Sequence, residues 1–445
     1  MSDSYAATLE AAGMSPVESA TKATMLGRAT EALHAVSGEQ PAVRLFVPGR
    51  IEVLGKHTDY AGGRSLLCNV ERGFILVAAA RDDQCVRVLD VALGERADLA
   101  LDPQLPPPAL AWAGYPGATA RRLARNFPGA RRGADIAFLS DLPQAAGLSS
   151  SSAFIVAIFL VLAHVNRLEE DETYGREIRS AEDLAGYLGT VENGQTFGSL
   201  QGDPGVGTFG GSEDHTSILC AEPGCLRQYS FCPVRYERAI PMPAGWTFVV
   251  GVSGVAAEKT QAARDRYNRA SLAVQEVLVQ WGRATGRQDA SLAIAVATPH
   301  APERLRDVLR DSDDGRFSAS FLRDRLDQFL DESTVIVPQA GDALARGDLR
   351  RFGVFVERSQ RNAEQLLGNQ IDETITLVRL ARLLGASAAS AFGAGFGGSV
   401  WALVRETETG EFQLWWTTEY RRAFPELAGH AQFFTSRPGP AALRL

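Results

Sequence analysis

The chain has 445 residues, of which 45% are hydrophobic and 22% are charged, and its formal net charge is −8. This length is too great for one ordinary hydrophobic core and favours two sizeable domains, and the composition is typical of a soluble globular protein. The acidic balance argues against a surface for nucleic acid or anionic membranes, because either partner would need a basic face.

Cysteine usage and hydropathy favour a cytoplasmic location. The five cysteines include no CxxC pair, so a disulfide framework and a structural zinc site are both disfavoured. The first residues lack the basic start and apolar run of a secretory signal. The longest uncharged apolar stretch, Phe154 to Val165, is well short of the roughly 20 residues that span a bilayer.

The first half of the chain alternates predicted strands with helices. Residues 1–40 are predicted to be helical, and residues 43–53 form a strand interrupted at Pro48 and Gly49. Two further strands are predicted at 74–80 and 134–140, and a long apolar helix runs from about Ser149 to Asn166.

A proline-punctuated segment before a strand at 246–252 suggests a domain boundary near residue 240. The second half is mostly helical and ends with a glycine-rich loop and the strand SVWALVR. The predicted helices are 256–284, 287–297, 302–311, 318–346, 348–366 and 371–384.

A loop that reads PQAAGLSSSSA (143–153) predicts a phosphate site. A turn at Gly147 brings four serines to the start of a helix, where unsatisfied backbone N–H groups and a partial positive charge bind phosphate. One of the hydroxyls can also reach Mg²⁺. A simple helix cap is the alternative, but one serine suffices for capping. No Walker GxxxxGK[ST] pattern occurs, and neither GxGxxG match opens the N-terminal βαβ unit of a dinucleotide fold.

Four segments follow one another along nearly the whole chain: PGRIEVLGKHTDYAGG (48–63), the WAGY stretch (112–115), the GLSSS loop (147–151) and AFGAGFGGSVWALV (391–404). In this order they resemble the galactokinase branch of the GHMP kinases. The resemblance implies an α+β, two-lobed GHMP kinase fold. A ribosomal-protein-S5-like domain (1–240) and a ferredoxin-like domain (241–445) would hold the active site between them.

The same resemblance implies an ATP-dependent sugar kinase that phosphorylates the anomeric hydroxyl of galactose or a related monosaccharide. Its expected ligands are ATP, Mg²⁺ and the sugar, with no nucleic acid, membrane or obligate protein partner. Asp214, in GGSED, is the implied base and Arg50 its partner. Ser151 and Glu192 are the implied Mg²⁺ ligands, with Glu213 as a competing carboxylate because the interval between Glu192 and Asp214 is unusually long.

The implied binding residues form two groups. ATP is expected to contact Trp112, Tyr115, Gly147, Leu148, Ser149, Ser150, Ser151, Ser152 and Gly395. The sugar is expected to contact Lys56, His57, Asp59, Gly211 and Tyr267.

Lys56 departs from the family signature, which has glutamate there, and Glu52 stands where the family has asparagine. A lysine suits a carboxylate or phosphate, so one hypothesis is a uronic acid or another modified sugar as substrate. The alternative is an ion pair between Lys56 and Glu52. A catalytically inactive sugar- and ATP-binding regulator is a further alternative, although Arg50 and Asp214 are both present. The HTDY segment argues against a homoserine or mevalonate kinase.

Overall fold

The computed structural model describes residues 2–256, 261–310 and 316–445, and they form two β-sheets with associated helices. The strands are β1 (Val43–Leu54), β2 (Arg64–Ala80), β3 (Cys85–Asp90), β4 (Glu95–Ala100), β5 (Ala134–Ser140), β6 (Cys225–Ser230), β7 (Arg235–Pro241), β8 (Trp246–Val252), β9 (Ala388–Phe392), β10 (Ser399–Arg405), β11 (Gln432–Ser436) and β12 (Leu443–Arg444). The helices are α1 (Ser2–Ala11), α2 (Pro16–Ser37), α3 (Gly114–Asn126), α4 (Ser150–Val165), α5 (Glu172–Glu177), α6 (Ala181–Asn193), α7 (Glu213–Cys220), α8 (Gln261–Thr285), α9 (Leu292–Val296), α10 (Ala301–Val308), α11 (Ala319–Asp331), α12 (Val337–Ala345), α13 (Leu349–Asn362), α14 (Asp372–Leu383) and α15 (Thr409–Ala423).

The first sheet has the strand order β12-β1-β2-β5-β3-β4, and β6 pairs with both β2 and β7. It is covered on both faces, because side chains that alternate along β2 enter two different cores. Ile75 and Val77 pack with Leu26 of α2, whereas Leu76 packs in the main core with Ile155 of α4. The long apolar helix α4 is therefore a buried core helix.

The second sheet is antiparallel with the order β11-β8-β10-β9. Its chain order is strand, helices, strand, strand, helix (α15) and strand, which is the ferredoxin-like arrangement. Residues of α14 and α15 pack on one face, and Phe352 and Val356 of α13 lie in the core on the other. The helical insertion between β8 and β9 contains π-helical turns at Glu332–Ile336 and Ala363–Leu367. The predicted α+β, two-lobed fold is confirmed.

The chain passes from the first sheet to the second between Pro241 and Trp246, close to residue 240. The last strand, β12, returns to the first sheet and pairs with β1, so the end of the chain does not stay with the second sheet. A sharp domain boundary at residue 240 therefore stays a prediction.

The predicted interruption of the first strand was wrong. β1 is continuous, and Pro48 and Gly49 coincide with a shift in its register to β2 between Pro48 and Arg50. Such a bulge absorbs an irregular residue without ending the strand. In the part of the chain that the structure describes, no helix is long and apolar enough to cross a membrane.

Candidate active site

A cavity of about 650 Å³ lies where the serine loop, β1, the start of α7 and the glycine-rich loop after β9 meet. Aromatic residues line one end, and charged residues line the other. It contains most of the residues implied by sequence: Arg50, His57, Asp59, Trp112, Tyr115, Gly147, Ser149, Ser150, Ser151, Ser152, Glu192, Gly211, Asp214, Tyr267 and Gly395.

The serine loop lies at the N-terminus of α4 and contacts the second domain directly. Ser399 Oγ donates a hydrogen bond to the carbonyl oxygen of Ala146, at 2.6 Å. A Cβ on Gly393 would lie 2.9 Å from the carbonyl oxygen of Gly147, so glycine permits this close approach of two backbones. Ser149 makes no side-chain capping hydrogen bond, which disfavours a purely capping role for the serine run.

Phe74, Trp112, Phe138 and Phe154 line the aromatic end of the cavity, and their rings pack against one another. Phe74 and Phe154 are stacked with ring centroids 5.2 Å apart, and Trp112 meets Phe138 edge-on at 5.8 Å. Trp112 Nε1 donates to Glu95 Oε2 at 2.7 Å, which fixes the indole orientation. Sequence reasoning found Trp112 but missed the three phenylalanines, because apolar residues in strands and helices ordinarily indicate core packing.

Arg50 and Asp214 form an ion pair at the charged end. Arg50 Nε lies 2.8 Å and Nη2 2.7 Å from Asp214 Oδ1, while Nη1 donates to the carbonyl oxygen of Gly147 at 2.7 Å. Burial lowers the pKa of Arg50, but the charges of Asp214, Glu52 and Glu213 outweigh burial and raise it above its usual range. The guanidinium therefore joins the implied base to the serine loop.

Glu192 contacts the same serine loop as Asp214, through the hydroxyl of Ser152. Ser152 Oγ donates to Glu192 Oε2 at 2.8 Å and lies 3.3 Å from Asp214 Oδ2. His215 Nε2 lies 3.6 Å from Glu192 Oε2. The serine hydroxyl seen between the two carboxylates is thus that of Ser152, one residue after the implied Ser151.

Glu213, the competing carboxylate, faces a different partner. Ser65 Oγ donates to Glu213 Oε2 at 2.5 Å, and burial raises the pKa of Glu213 well above its usual range. Among the described residues, no group of three or more His, Cys, Asp or Glu side chains is arranged to hold a metal ion. Oxygens of Ser152, Glu192 and Asp214 lie close together at this point, where they could contact a cation.

The stretch between Glu192 and Asp214 is held against α3 by an ion pair. Arg121 Nε donates to Asp203 Oδ2 at 2.7 Å, and both side chains are buried. The backbone N–H of Val206 donates to the carbonyl oxygen of Glu192 at 2.9 Å. Thr208 Oγ1 donates to Glu192 Oε1 at 3.3 Å. Residues of this stretch therefore hold Glu192 in place, and the role of Arg121 in anchoring them could not be seen in the sequence.

Asp59, Gly211 and Tyr267 come together as expected. The backbone N–H of Glu213 donates to Asp59 Oδ2 at 3.2 Å, and burial raises the pKa of Asp59 to about 6. A Cβ on Gly211 would lie 2.5 Å from Asp59 Oδ2, and a Cβ on Gly210 would lie 2.7 Å from the Tyr267 hydroxyl. Both glycines therefore allow these polar groups to approach the loop.

His57 lies at the cavity wall, but protein groups already engage both of its ring nitrogens. Nε2 lies 3.1 Å from the carbonyl oxygen of Ala394 and must donate, so Nδ1 accepts from the Tyr60 hydroxyl at 3.0 Å. Burial and the nearby Arg325 charge lower the pKa of His57 to about 4, so the ring is neutral. His57 lines the cavity, and its predicted contact with the sugar stays a prediction.

Two implied contact residues lie outside the cavity lining among the described residues, Lys56 and Leu148. Leu148 is buried in the main core, and its carbonyl oxygen accepts from the backbone N–H of Arg50 at 3.2 Å. Lys56 is 1% exposed, and its ammonium donates to Ser390 Oγ at 2.7 Å and to Ser359 Oγ at 3.1 Å. The ammonium is held by two serines of the second domain, rather than by Glu52 or at the cavity surface.

Three family models match separate parts of the chain. The galactokinase galactose-binding signature matches residues 34–80, the N-terminal domain of GHMP kinases matches residues 114–198, and the C-terminal domain of GHMP kinases matches residues 342–414.

Curated relatives match over most of their length. The chain is 29% identical over 383 residues to a galactokinase of Chloroflexus aggregans, which covers 84% of this chain and 87% of that protein. It is 26% identical over 414 residues to a galactokinase of Exiguobacterium sibiricum, covering 91% and 94% of the two chains.

Solved structures show the same fold. The crystal structure of Lactococcus lactis galactokinase complexed with galactose matches with a TM-score of 0.78 at 22% identity, covering 94% of this chain and all of that chain. A mevalonate kinase from Methanococcus jannaschii matches with a TM-score of 0.53 at 14% identity, covering 88% and 97% of the two chains.

Proposed function

We propose that this chain, a galactokinase-like, ATP-dependent sugar kinase of the GHMP kinases, phosphorylates the anomeric hydroxyl of galactose or a related monosaccharide. The observation that carries the proposal is the position of Asp214. This carboxylate is clamped by Arg50 and lies between the phosphate-binding serine loop and the polar group formed by Asp59 and Tyr267.

ATP is proposed to lie along the cavity from its aromatic end to the serine loop. Phe74, Trp112, Phe138 and Phe154 offer apolar ring surface to the flat adenine ring, because aromatic rings pack well on one another. The N-terminus of α4 would receive the phosphates, where backbone N–H groups and the serine hydroxyls donate hydrogen bonds.

The oxygens near the serine loop fit a Mg²⁺ ion that arrives with ATP. Mg²⁺ takes oxygen ligands, keeps several waters and usually binds through one or two carboxylates and substrate phosphates. Ser152 Oγ and Glu192 offer such a small set, with Ser151 on the same turn of α4. When bound, the ion would neutralise phosphate charge, which is its usual role in phosphoryl transfer.

Asp214 is the proposed base. As the anomeric oxygen forms its bond to the γ-phosphorus, its proton moves to the Asp214 carboxylate, the bond to the bridging oxygen breaks and ADP leaves. Arg50 fixes the orientation of Asp214 through Oδ1 and brings a buried positive charge next to the serine loop. This charge would stabilise the negative charge on the transferring group.

Sugar-dependent ADP release, measured with a panel of monosaccharides, tests the proposal. A galactokinase-like enzyme must release ADP with at least one neutral sugar, and the Asp214→Asn protein must lose this release while still binding ATP. A chain that binds sugar and ATP in calorimetry but releases no ADP with any sugar would be a regulator, and the proposed catalytic role would be wrong.

A further inference from the structure

Glu52 is a buried carboxylate in the wall of the cavity. It lies two residues after Arg50 on β1, and residues two apart in a strand point to the same face. Its side chain is 3% exposed. Oε2 accepts a hydrogen bond from the backbone N–H of Gly393 at 3.2 Å, whereas Oε1 has no hydrogen-bond partner among the described residues.

A buried carboxylate oxygen without a hydrogen bond costs free energy that a donor on a ligand would recover. The groups that act on this carboxylate are Arg50, Lys56, Glu332 and Asp214. Burial raises the pKa of Glu52 to about 7, although the charges of Arg50 and Lys56 oppose the rise. Glu52 thus places an unsatisfied acceptor in the cavity wall, and this acceptor becomes stronger as the carboxyl group ionises.

We infer that Glu52 determines sugar specificity, by accepting a hydrogen bond from a hydroxyl group of the substrate and selecting a neutral sugar over the corresponding uronate. The inference rests on the proposed function and names the substrate class of the same site.

The charges around Glu52 disfavour an anionic sugar. Asp59 and Asp214 line the same cavity, so a uronate carboxylate there would face like charges. The two nearby cations are engaged: Arg50 binds Asp214, and the ammonium of Lys56 is held by Ser359 and Ser390 behind the wall. The uronic acid hypothesis rested on Lys56 reaching the substrate, and this geometry removes its basis.

The selectivity of the enzyme tests the inference. The ratio of kcat/KM for galactose to kcat/KM for galacturonate is measured at pH 8, where the Glu52 carboxyl is mostly ionised. The wild-type ratio is expected to be at least about 100, because like charges that meet in a buried site cost several kcal/mol. Glu52→Gln keeps the shape but removes the negative charge, and it should lower the ratio at least about 10-fold.

Glu357→Gln is the matched control. Glu357 pairs with Arg361 on the exposed side of α13, and both side chains are more than half exposed. This variant should keep the wild-type ratio. Because the ratio compares two sugars on one preparation, a partial loss of folded enzyme does not change it. If Glu52→Gln fails to fold, Glu52→Asp keeps the charge and must keep the preference for the neutral sugar.

The outcomes separate the two claims. A wild-type enzyme that phosphorylates galacturonate as well as galactose, or a ratio that Glu52→Gln leaves unchanged, overturns the role of Glu52 while the kinase activity stands. Absence of phosphoryl transfer to both sugars and to the rest of the monosaccharide panel contradicts the proposed function itself.

Discussion

Arg50 binds only one of the two carboxylate oxygens of Asp214. Its Nε and Nη2 atoms lie 2.8 and 2.7 Å from Oδ1, whereas Oδ2 lies 3.3 Å from Ser152 Oγ. One oxygen therefore fixes the carboxylate, and the other remains directed towards the serine loop, where phosphate is proposed to bind. This division suits a group that must hold its position and also receive a proton.

Replacement of Asp214 with asparagine should lower kcat by about 100- to 10,000-fold, the usual contribution of a positioned general base. The amide keeps the size of the side chain but cannot take the proton. ATP affinity, measured by calorimetry, should change little, and the control Asp82→Asn, whose side chain is fully exposed, should keep full activity. A variant with wild-type kcat would show that Asp214 is not the base.

Replacement of Ser152 with alanine should raise the Mg²⁺ concentration needed for half-maximal activity by about 10-fold or more, as the loss of one group at a metal site commonly does. The comparison is with Ser151→Ala, because the resemblance implies Ser151 while Ser152 meets Glu192 at 2.8 Å. The test is a Mg²⁺ titration at fixed ATP. A larger effect of Ser151→Ala would return the metal role to that residue.

Replacement of Lys56 with glutamate should destabilise the fold rather than alter sugar choice. The new carboxylate would be buried beside Ser359, which already donates to Glu332 Oε1 at 2.9 Å. Breaking a buried charged arrangement in this way costs about 3 to 5 kcal/mol of unfolding free energy. Lys56→Met, which removes the charge without adding another, should cost less in a urea titration. Wild-type stability of Lys56→Glu would contradict this placement of Lys56.

The neutral His57 ring should make stability fall in acid. The pKa of His57 is lowered to about 4 in the folded protein, whereas its ordinary value is near 6.5. Between these two pH values, the unfolded chain therefore binds a proton that the folded protein does not. Stability from this residue is present above pH 6.5 and is lost as the pH falls towards 4, by about 2 kcal/mol from pH 7 to pH 5.

His57→Asn should reduce this loss, because asparagine tolerates the backbone φ of 58° and does not titrate. Asp59 and Glu52 have raised pKa values and act with the opposite sign, but they are present in both proteins and cancel in the difference. The measurement is the free energy of unfolding in urea at pH 7 and pH 5. Equal losses in both proteins would show that His57 is not neutral in the fold.

The sequence predicted two kinds of feature: strands that are marked by apolar runs, and site residues that belong to recognisable motifs. Strand β5 begins at Ala134 and β8 at Trp246, as predicted, because both are largely apolar runs bounded by polar or proline-containing segments. Arg50, Asp214 and Glu192 come together as the family resemblance implied, although up to 164 residues separate them.

What could not be predicted depends on side-chain direction and on partners far away in the chain. The signature alone places Lys56 next to His57, but only the packed second domain supplies Ser359 and Ser390, which draw the ammonium away from the cavity. That the Glu52 carboxylate lies in the cavity wall is visible only once β1 and the glycine-rich loop after β9 are seen together. The aromatic end of the cavity could not be predicted, because Phe74, Phe138 and Phe154 look like ordinary core residues in the sequence.

The position of the new phosphate on the sugar tests the central claim most directly. Wild-type protein is incubated with galactose labelled with ¹³C at carbon 1, ATP and Mg²⁺, and the product is followed by ¹³C and ³¹P NMR. The account predicts a phosphorus coupling on the labelled anomeric carbon, and no such product with Asp214→Asn. A phosphate on another carbon, or ATP hydrolysis without a phosphorylated sugar, would contradict it.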